Sequence, residues 1–280
     1  MSPVLARKSP AGSDLEGLLT AVPWKRGRAR AGDGPLFLST QLAENHAASR
    51  RCYHRGRPRD ENYREQVYSM ADGTELFEII HTTRAMRRLK PDPVPDALIN
   101  RILEAGQCAP NGANAQQWCF LVVKDRGIKQ AVQVWYQRAF DEVIGPHYRS
   151  SAPPPGMDPE RYRRQAAAVQ YLTEHFHEAP VWIVPCLQQQ PTKRWSGASI
   201  YPAVQNMLLA ARALGLGATL TTRHLVYEKE TEAALGLPPG VHSYAIIPIG
   251  YPIGKFGPVR RGPLHQIVYK DRWGQAWDGT

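Results

Sequence analysis

Over residues 70–280 this sequence predicts a mixed helix-and-sheet domain, and three observations carry that reading. Short apolar runs bounded by turn residues recur at 118–123, 181–186, 217–222 and 244–249, as buried strands do. Longer segments between them repeat their apolar residues at helical spacing. Because helices fall between successive strands, the sheet is expected to carry helices on both faces.

Residues 1–69 show no sustained periodicity. They hold 12 Lys and Arg against 7 Asp and Glu, half of the whole chain's net charge of +10, in patches such as WKRGRARAGDG. A disordered or loosely attached extension is expected there. It reads either as a basic tail for a polyanion or as sequence upstream of the real start, since Met70 opens the patterned region.

The first helix is expected over 74–81, with Leu76, Phe77, Ile79 and Ile80 as its buried face. It leads into a knot of cations, Arg84, Arg87, Arg88 and Lys90. Pro95 and Asp96 signal a second helix, in which Leu98, Ile99, Ile102, Leu103 and Ala105 recur at helical spacing. A turn rich in small residues and amides follows (Asn111, Gly112, Asn114, Gln116, Gln117) and runs straight into the strand at 118–123. Another helix is expected within 127–145. The prolines and serines of 146–159 should then break regular structure, ahead of a polar helix over 159–177. The stretch 148–171 can cover a site, with Tyr148, Tyr162 or Tyr171 stacking over a substrate. In the long helix after the second strand, Val204, Met207, Leu208, Ala211 and Leu214 share one face, and Gly215 closes it. A last helix carries Leu225, Val226 and the apolar residues 233–235, and Arg260 and Arg261 follow the final strand.

Guanidinium groups bind phosphate oxygens two at a time and stay charged. Carboxamides offer donors and acceptors to the edge of a ring carrying N–H and C=O groups, and Gly112 lets the main chain approach such a ring closely. Cations at one end and amides at the other suit a flat, phosphorylated heterocycle.

The segments TTRAMRRLKPDP and APNGANAQQW resemble the paired fingerprints of the FMN-dependent nitroreductase family, with similarity over residues 76–268. The resemblance implies an α+β fold, a three-layer α/β/α sandwich with a mixed, largely antiparallel sheet, in a homodimer whose interface includes the long helix and completes the pocket. It implies FMN, with Arg84, Arg87 and Arg261 at the phosphate or ribityl chain. Asn111, Asn114 and Gln116 would contact the ring, and Thr219, Leu220 and Thr221 would border it. Thr83, Ala85 and Gln117 depart from the pattern, which has Arg, Ser and Pro there. The implied reaction is a ping-pong hydride transfer from NADH or NADPH through flavin N5 to a nitroaromatic, quinone or enone acceptor, with no catalytic side chain. Reductive dehalogenation and flavin processing are alternatives within the family. Nucleic-acid binding through residues 1–69 is the alternative outside it, and a flavin carrier without turnover is a third.

Other chemistries lack their residues. There is no HExxH metal pair, GxSxG elbow or phosphate loop, and Gly215-x-Gly217 follows a helix where a dinucleotide fingerprint would open one. No metal is expected. Cys52, Cys108, Cys119 and Cys186 form no CxxC pair and are expected to be reduced, with Cys108 and Cys119 as small core residues. No apolar run approaches the ~18 residues of a membrane span. The N-terminus lacks the apolar core of a secretory signal, so a cytoplasmic protein is expected.

Overall fold

The computed structural model describes residues 76–153, 157–188 and 196–277. The expectations for residues 1–69 lie outside them. Seven α-helices occur among the described residues: α1 (Leu76–Thr82), α2 (Asp96–Gln107), α3 (Arg126–Ala139), α4 (Gly145–Ser150), α5 (Pro159–Glu174), α6 (Gly197–Ala213) and α7 (Glu228–Ala234). The strands are β1 (Trp118–Val123), β2 (Val181–Gln188), β3 (Gly217–Ala218), β4 (Val241–Ser243) and β5 (Ile247–Gly250). They form one sheet in the order β1-β2-β5-β3, with β4 also on β2, and every strand pairing among the described residues is antiparallel.

Strand β2 is central and buried on both faces, which is why it reads as an unbroken apolar run. Its alternate residues feed two separate cores. Val181 and Ile183 pack with Ile247 and Ile249 against Ile99 and Ile102 of α2 and Val204, Met207 and Ala211 of α6. Trp182, Val184 and Cys186 point the other way, to Val132 and Tyr136 of α3, Leu172 of α5 and Phe176. Helices therefore cover both faces, as expected. On the second face the Phe176 ring is stacked between Tyr136 at 3.9 Å and Trp182 at 4.3 Å. Helix starts follow their caps: Asp125 accepts from the Ile128 N–H, and Asp158, ahead of Pro159, accepts from the Glu160 and Arg161 N–H groups.

Several expectations are corrected. The run 244–249 divides into β4 and β5, with a bend where pairing changes. Pro185 of β2 has no N–H, and its carbonyl accepts from Tyr244. The missing donor faces that same edge, so the ladder with β2 lapses there; on the other edge, Ile246 bridges to Thr221 in register with the β3–β5 pairing. The run 217–222 likewise contracts to β3 plus this one bridge. Residues 146–150 are helical because Pro146 sits in the first turn of α4, where a missing N–H costs little. Cys108 ends α2 exposed and Cys119 is half-buried, whereas Cys186 is the buried one. On α1 only Ile79 is buried; Leu76, Phe77 and Ile80 are 61%, 68% and 41% exposed.

The aromatic stack sets a test of this packing. Phe176→Ala is expected to lower unfolding free energy by about 3–5 kcal/mol, the usual cost of emptying a buried aromatic site. Val134→Ala, on the exposed side of α3, should stay within ~0.5 kcal/mol. Urea midpoints of the two variants decide it, and equal effects would refute this core.

Candidate functional site

The arginines are placed by backbone. Helix α1 ends as the Thr82 and Thr83 hydroxyls donate to the Glu78 and Ile79 carbonyls, and an extended segment then lies across the sheet. There the Met86 N–H donates to the Ala218 carbonyl at 2.9 Å and the Lys90 N–H to Tyr251 at 2.8 Å, while Leu89 bridges to Pro252. Two glycines make room for it. A Cβ on Gly217 would lie 2.9 Å from Leu89 and 3.0 Å from Met86, and one on Gly250 would lie 2.9 Å from Pro180. With Met86 buried inward, Arg84 is left exposed and Arg87 partly buried. The C-terminal stretch returns beside them, as the Val259 N–H donates to the His81 carbonyl at 2.9 Å.

A cavity of about 550 Å³ results. Arg84, Arg87 and Arg261 line it, with Thr219 and Leu220 after β3 and Gln205, Leu208 and Arg212 of α6. None of its lining residues is Asp or Glu. Burial lowers the Arg87 guanidinium below its usual pKa, and neighbouring Arg84 adds to that, while Tyr148 and Tyr136 act the other way. Burial likewise lowers Arg223, with Arg87 adding to it. Arginine stays protonated all the same. Arg212 has the Glu78 carboxylate 4.0 Å away, whereas Arg84, Arg87 and Arg261 form no ion pair among the described residues, an arrangement that an anion relieves.

Five of the nine expected cofactor residues thus meet: Arg84, Arg87, Thr219, Leu220 and Arg261. Thr221 does not line the cavity; its hydroxyl lies 3.0 Å from the Tyr136 hydroxyl, fixing the loop to α3. Asn111, Asn114 and Gln116 are elsewhere. They close a turn on themselves, the Gln116 N–H donating to Asn111 Oδ1 at 2.8 Å and its Nε2 to Asn114 Oδ1 at 3.2 Å. Ala113, Asn114 and Gln116 all hold positive φ, near 50°, a conformation costly for Ala and Gln and frequent at binding sites. The turn is moored to the start of α6 by the Gly112 N–H donating to Ser199 Oγ. Arg212 stands 13 residues along the same helix, about 20 Å at 1.5 Å per residue. Within one chain, therefore, folding does not join the amides to the guanidiniums.

None of the three tyrosines lines this cavity. Tyr148 of α4 lies beside Tyr162 of α5, their centroids 5.9 Å apart, while the Tyr171 ring carries the Arg88 guanidinium at 4.8 Å. Sequence reading missed two further arginines. Arg212 donates to Thr82 Oγ1 at 3.0 Å and lies over the Phe256 ring at 4.2 Å; it shares a helical stripe with Gln205 and Leu208, a pattern visible in the sequence. Arg223 is held between the Tyr136 and Phe140 rings, at 4.5 and 5.1 Å, and donates to Thr173. No periodicity announces it. Although no metal spacing is visible in the sequence, α7 and β4 bring ligand atoms of Glu228, Glu232 and His242 within 4.8 Å of one another.

The loop bearing Thr219 to Arg223 is pinned by His224, which is fully buried. The Ser243 hydroxyl donates to Glu232 Oε1 and so accepts from His224 Nε2 at 3.1 Å, leaving Nδ1 unprotonated and without a partner.

A family model described as the nitroreductase family matches residues 80–251. An NADH dehydrogenase of Thermus thermophilus is 29% identical over 208 residues, covering 66% of this chain and 90% of its own. An iodotyrosine deiodinase of Daphnia pulex is 27% identical, covering 71% of this chain and 67% of its own. In fold, a nitroreductase with bound FMN from Bacteroides fragilis aligns with a TM-score of 0.53 at 22% identity, over 71% of this chain and all of the other. Among the described residues no helix is long and apolar enough to cross a membrane.

Burial holds His224 down at about 4, well below the ordinary imidazole value of 6.5. Its folded pKa is the lower one, so the unfolded chain takes up the proton first as pH falls. The residue should cost no stability above pH 6.5, then a penalty growing to about 3 kcal/mol by pH 4. His224→Gln should remove that slope, read as urea midpoints at several pH values. Parallel pH profiles for wild type and variant would show that the imidazole is not so buried.

Proposed function

The chain belongs to the nitroreductase family, and from that premise we propose that its domain, residues 70–280, is an FMN-dependent oxidoreductase working as a cytoplasmic homodimer. When bound, FMN supplies hydride chemistry at N5, taking reducing equivalents from NADH or NADPH and giving them to a small nitroaromatic, quinone or enone acceptor. One observation carries the reading: four guanidiniums, those of Arg84, Arg87, Arg212 and Arg261, line a cavity bordered by Thr219 and Leu220, with no Asp or Glu in its wall.

The chain's residues have position and charge to contribute. Arg84, Arg87 and Arg261 hold the phosphate and ribityl end by charged hydrogen bonds, each worth about 1.5–3 kcal/mol. Thr219, Leu220 and Thr221 border the ring. Positive potential from the arginines favours negative charge developing on the bound cofactor. Asn111, Asn114 and Gln116 reach the ring from the second copy, which is why the turn can be strained and remote within one chain. Tyr148, Tyr162 and Tyr171 cover the acceptor. Reductive dehalogenation stays the alternative within the family, supported by the likeness to an iodotyrosine deiodinase.

Purified protein should carry about one FMN per chain, seen by visible absorbance, with one site in each half of a twofold dimer. Removing a single arginine should weaken FMN roughly ten- to hundredfold, and Arg84→Ala with Arg87→Ala should give apoprotein of unchanged urea stability. Asn114→Gly removes a carboxamide while keeping the left-handed turn. Dimers made by co-expressing Asn114→Gly with Arg87→Ala should regain about half the FMN, since one site then collects both defects. Wild-type protein that does not bind added FMN sinks the reading, and mixed dimers no better than either parent sink the shared site.

A further inference from the structure

On the other side of the arginine segment lies a second cavity, of about 830 Å³, between that segment, α5 and residues 254–261. It shares Arg84, Arg87 and Arg261 with the cavity described above. Five more cations complete its wall: Arg88, Arg161, Arg164, Lys255 and Arg260. No Asp or Glu lines it. These five form no ion pair among the described residues.

Helix α5 shows that the arrangement is directional. Arg161, Arg164, Gln165 and Ala168 recur at helical spacing and face the cavity, while Val169 and Leu172 are buried in the core. Arg163 lies off that stripe and is neutralised by Glu160 at 2.8 Å. The Arg88 guanidinium lies 4.8 Å from the centre of the Tyr171 ring. One phosphate of charge roughly −2 meets the three shared arginines. The remaining five charges are left over.

We propose that this cavity binds the phosphates of the nicotinamide dinucleotide, and that Arg161 and Arg164 recognise the 2′-phosphate, making NADPH the preferred reductant. The inference rests on the flavin reading above for its context and extends it by naming the reductant. A phosphomonoester brings roughly −2 of charge and three acceptor oxygens, which suit a pair of arginines one helical turn apart. NADH lacks that group and meets the same wall with its pyrophosphate alone.

The FMN-loaded protein is titrated calorimetrically with 2′,5′-ADP and with 5′-AMP, and kcat/KM is measured for NADPH and NADH. Wild type should bind 2′,5′-ADP, and use NADPH, at least about tenfold better than the counterpart lacking the 2′-phosphate. Arg161→Ala with Arg164→Ala should abolish both preferences while leaving FMN content and NADH turnover within about twofold, because both residues lie on the exposed turns of a helix. Equal binding of the two nucleotides by wild type overturns the proposal. So does a double variant that loses FMN, which would assign these cations to the cofactor phosphate. Failure of the flavin reading shows separately, as protein without visible absorbance, and the nucleotide titration still discriminates there.

Discussion

Like charges held together without a counter-charge constrain the whole structure. Arg84, Arg87 and Arg261 share two cavities, neither lined by a carboxylate; Arg84 and Arg261 stay exposed and Arg87 is partly buried, so their mutual repulsion is eased by water where no anion is bound. The chain holds them there by main-chain bonds, which are indifferent to side-chain charge. Met86 and Lys90 are hydrogen-bonded to Ala218 and Tyr251. Gly217 and Gly250 admit the segment against the sheet. The two cores on either side of β2 supply the apolar burial that tolerates this arrangement.

Much of the fold was legible because its strongest signals are periodic. The unbroken apolar run of β2 and the stripe Val204, Met207 and Ala211 on α6 each have one reading, and both are core. What periodicity could not supply is the identity of the neighbour. Leu76, Phe77 and Ile80 make a correct amphipathic pattern on α1, yet nothing in this chain covers them among the described residues. The lapse between β4 and β5 depends on Pro185 in another strand, a cross-strand effect invisible in the run itself.

The site was legible in kind but misplaced in space. Arginine cluster and amide turn are close in sequence, which suggests closeness in the fold. Between them, however, runs α2, whose 12 residues carry the chain about 18 Å away. Arg223 stayed hidden because aromatic rings and a threonine hold it, all contributed by α3, the turn after it and α5. Arg84, Arg87 and Arg261 were found because charge clusters can be read without knowing what surrounds them.

A twofold axis resolves the separation under the dimeric reading. Symmetry of this kind makes any contact reciprocal: if residue i of one copy meets residue j of the other, j also meets i. Suppose the axis runs perpendicular to α6 near its middle. The helix then lies antiparallel to its mate, so the end bearing Ser199 and the amide turn faces the end bearing Arg212 and the arginine cavity. Two complete sites arise at once, each with cations from one chain and carboxamides from the other. Leu76, Phe77 and Ile80 of α1, a helix packed beside α6, are exposed within one chain and so are open to such a partner. The distance that separates the two halves of the site within a chain is thus the length that a reciprocal pairing of α6 requires.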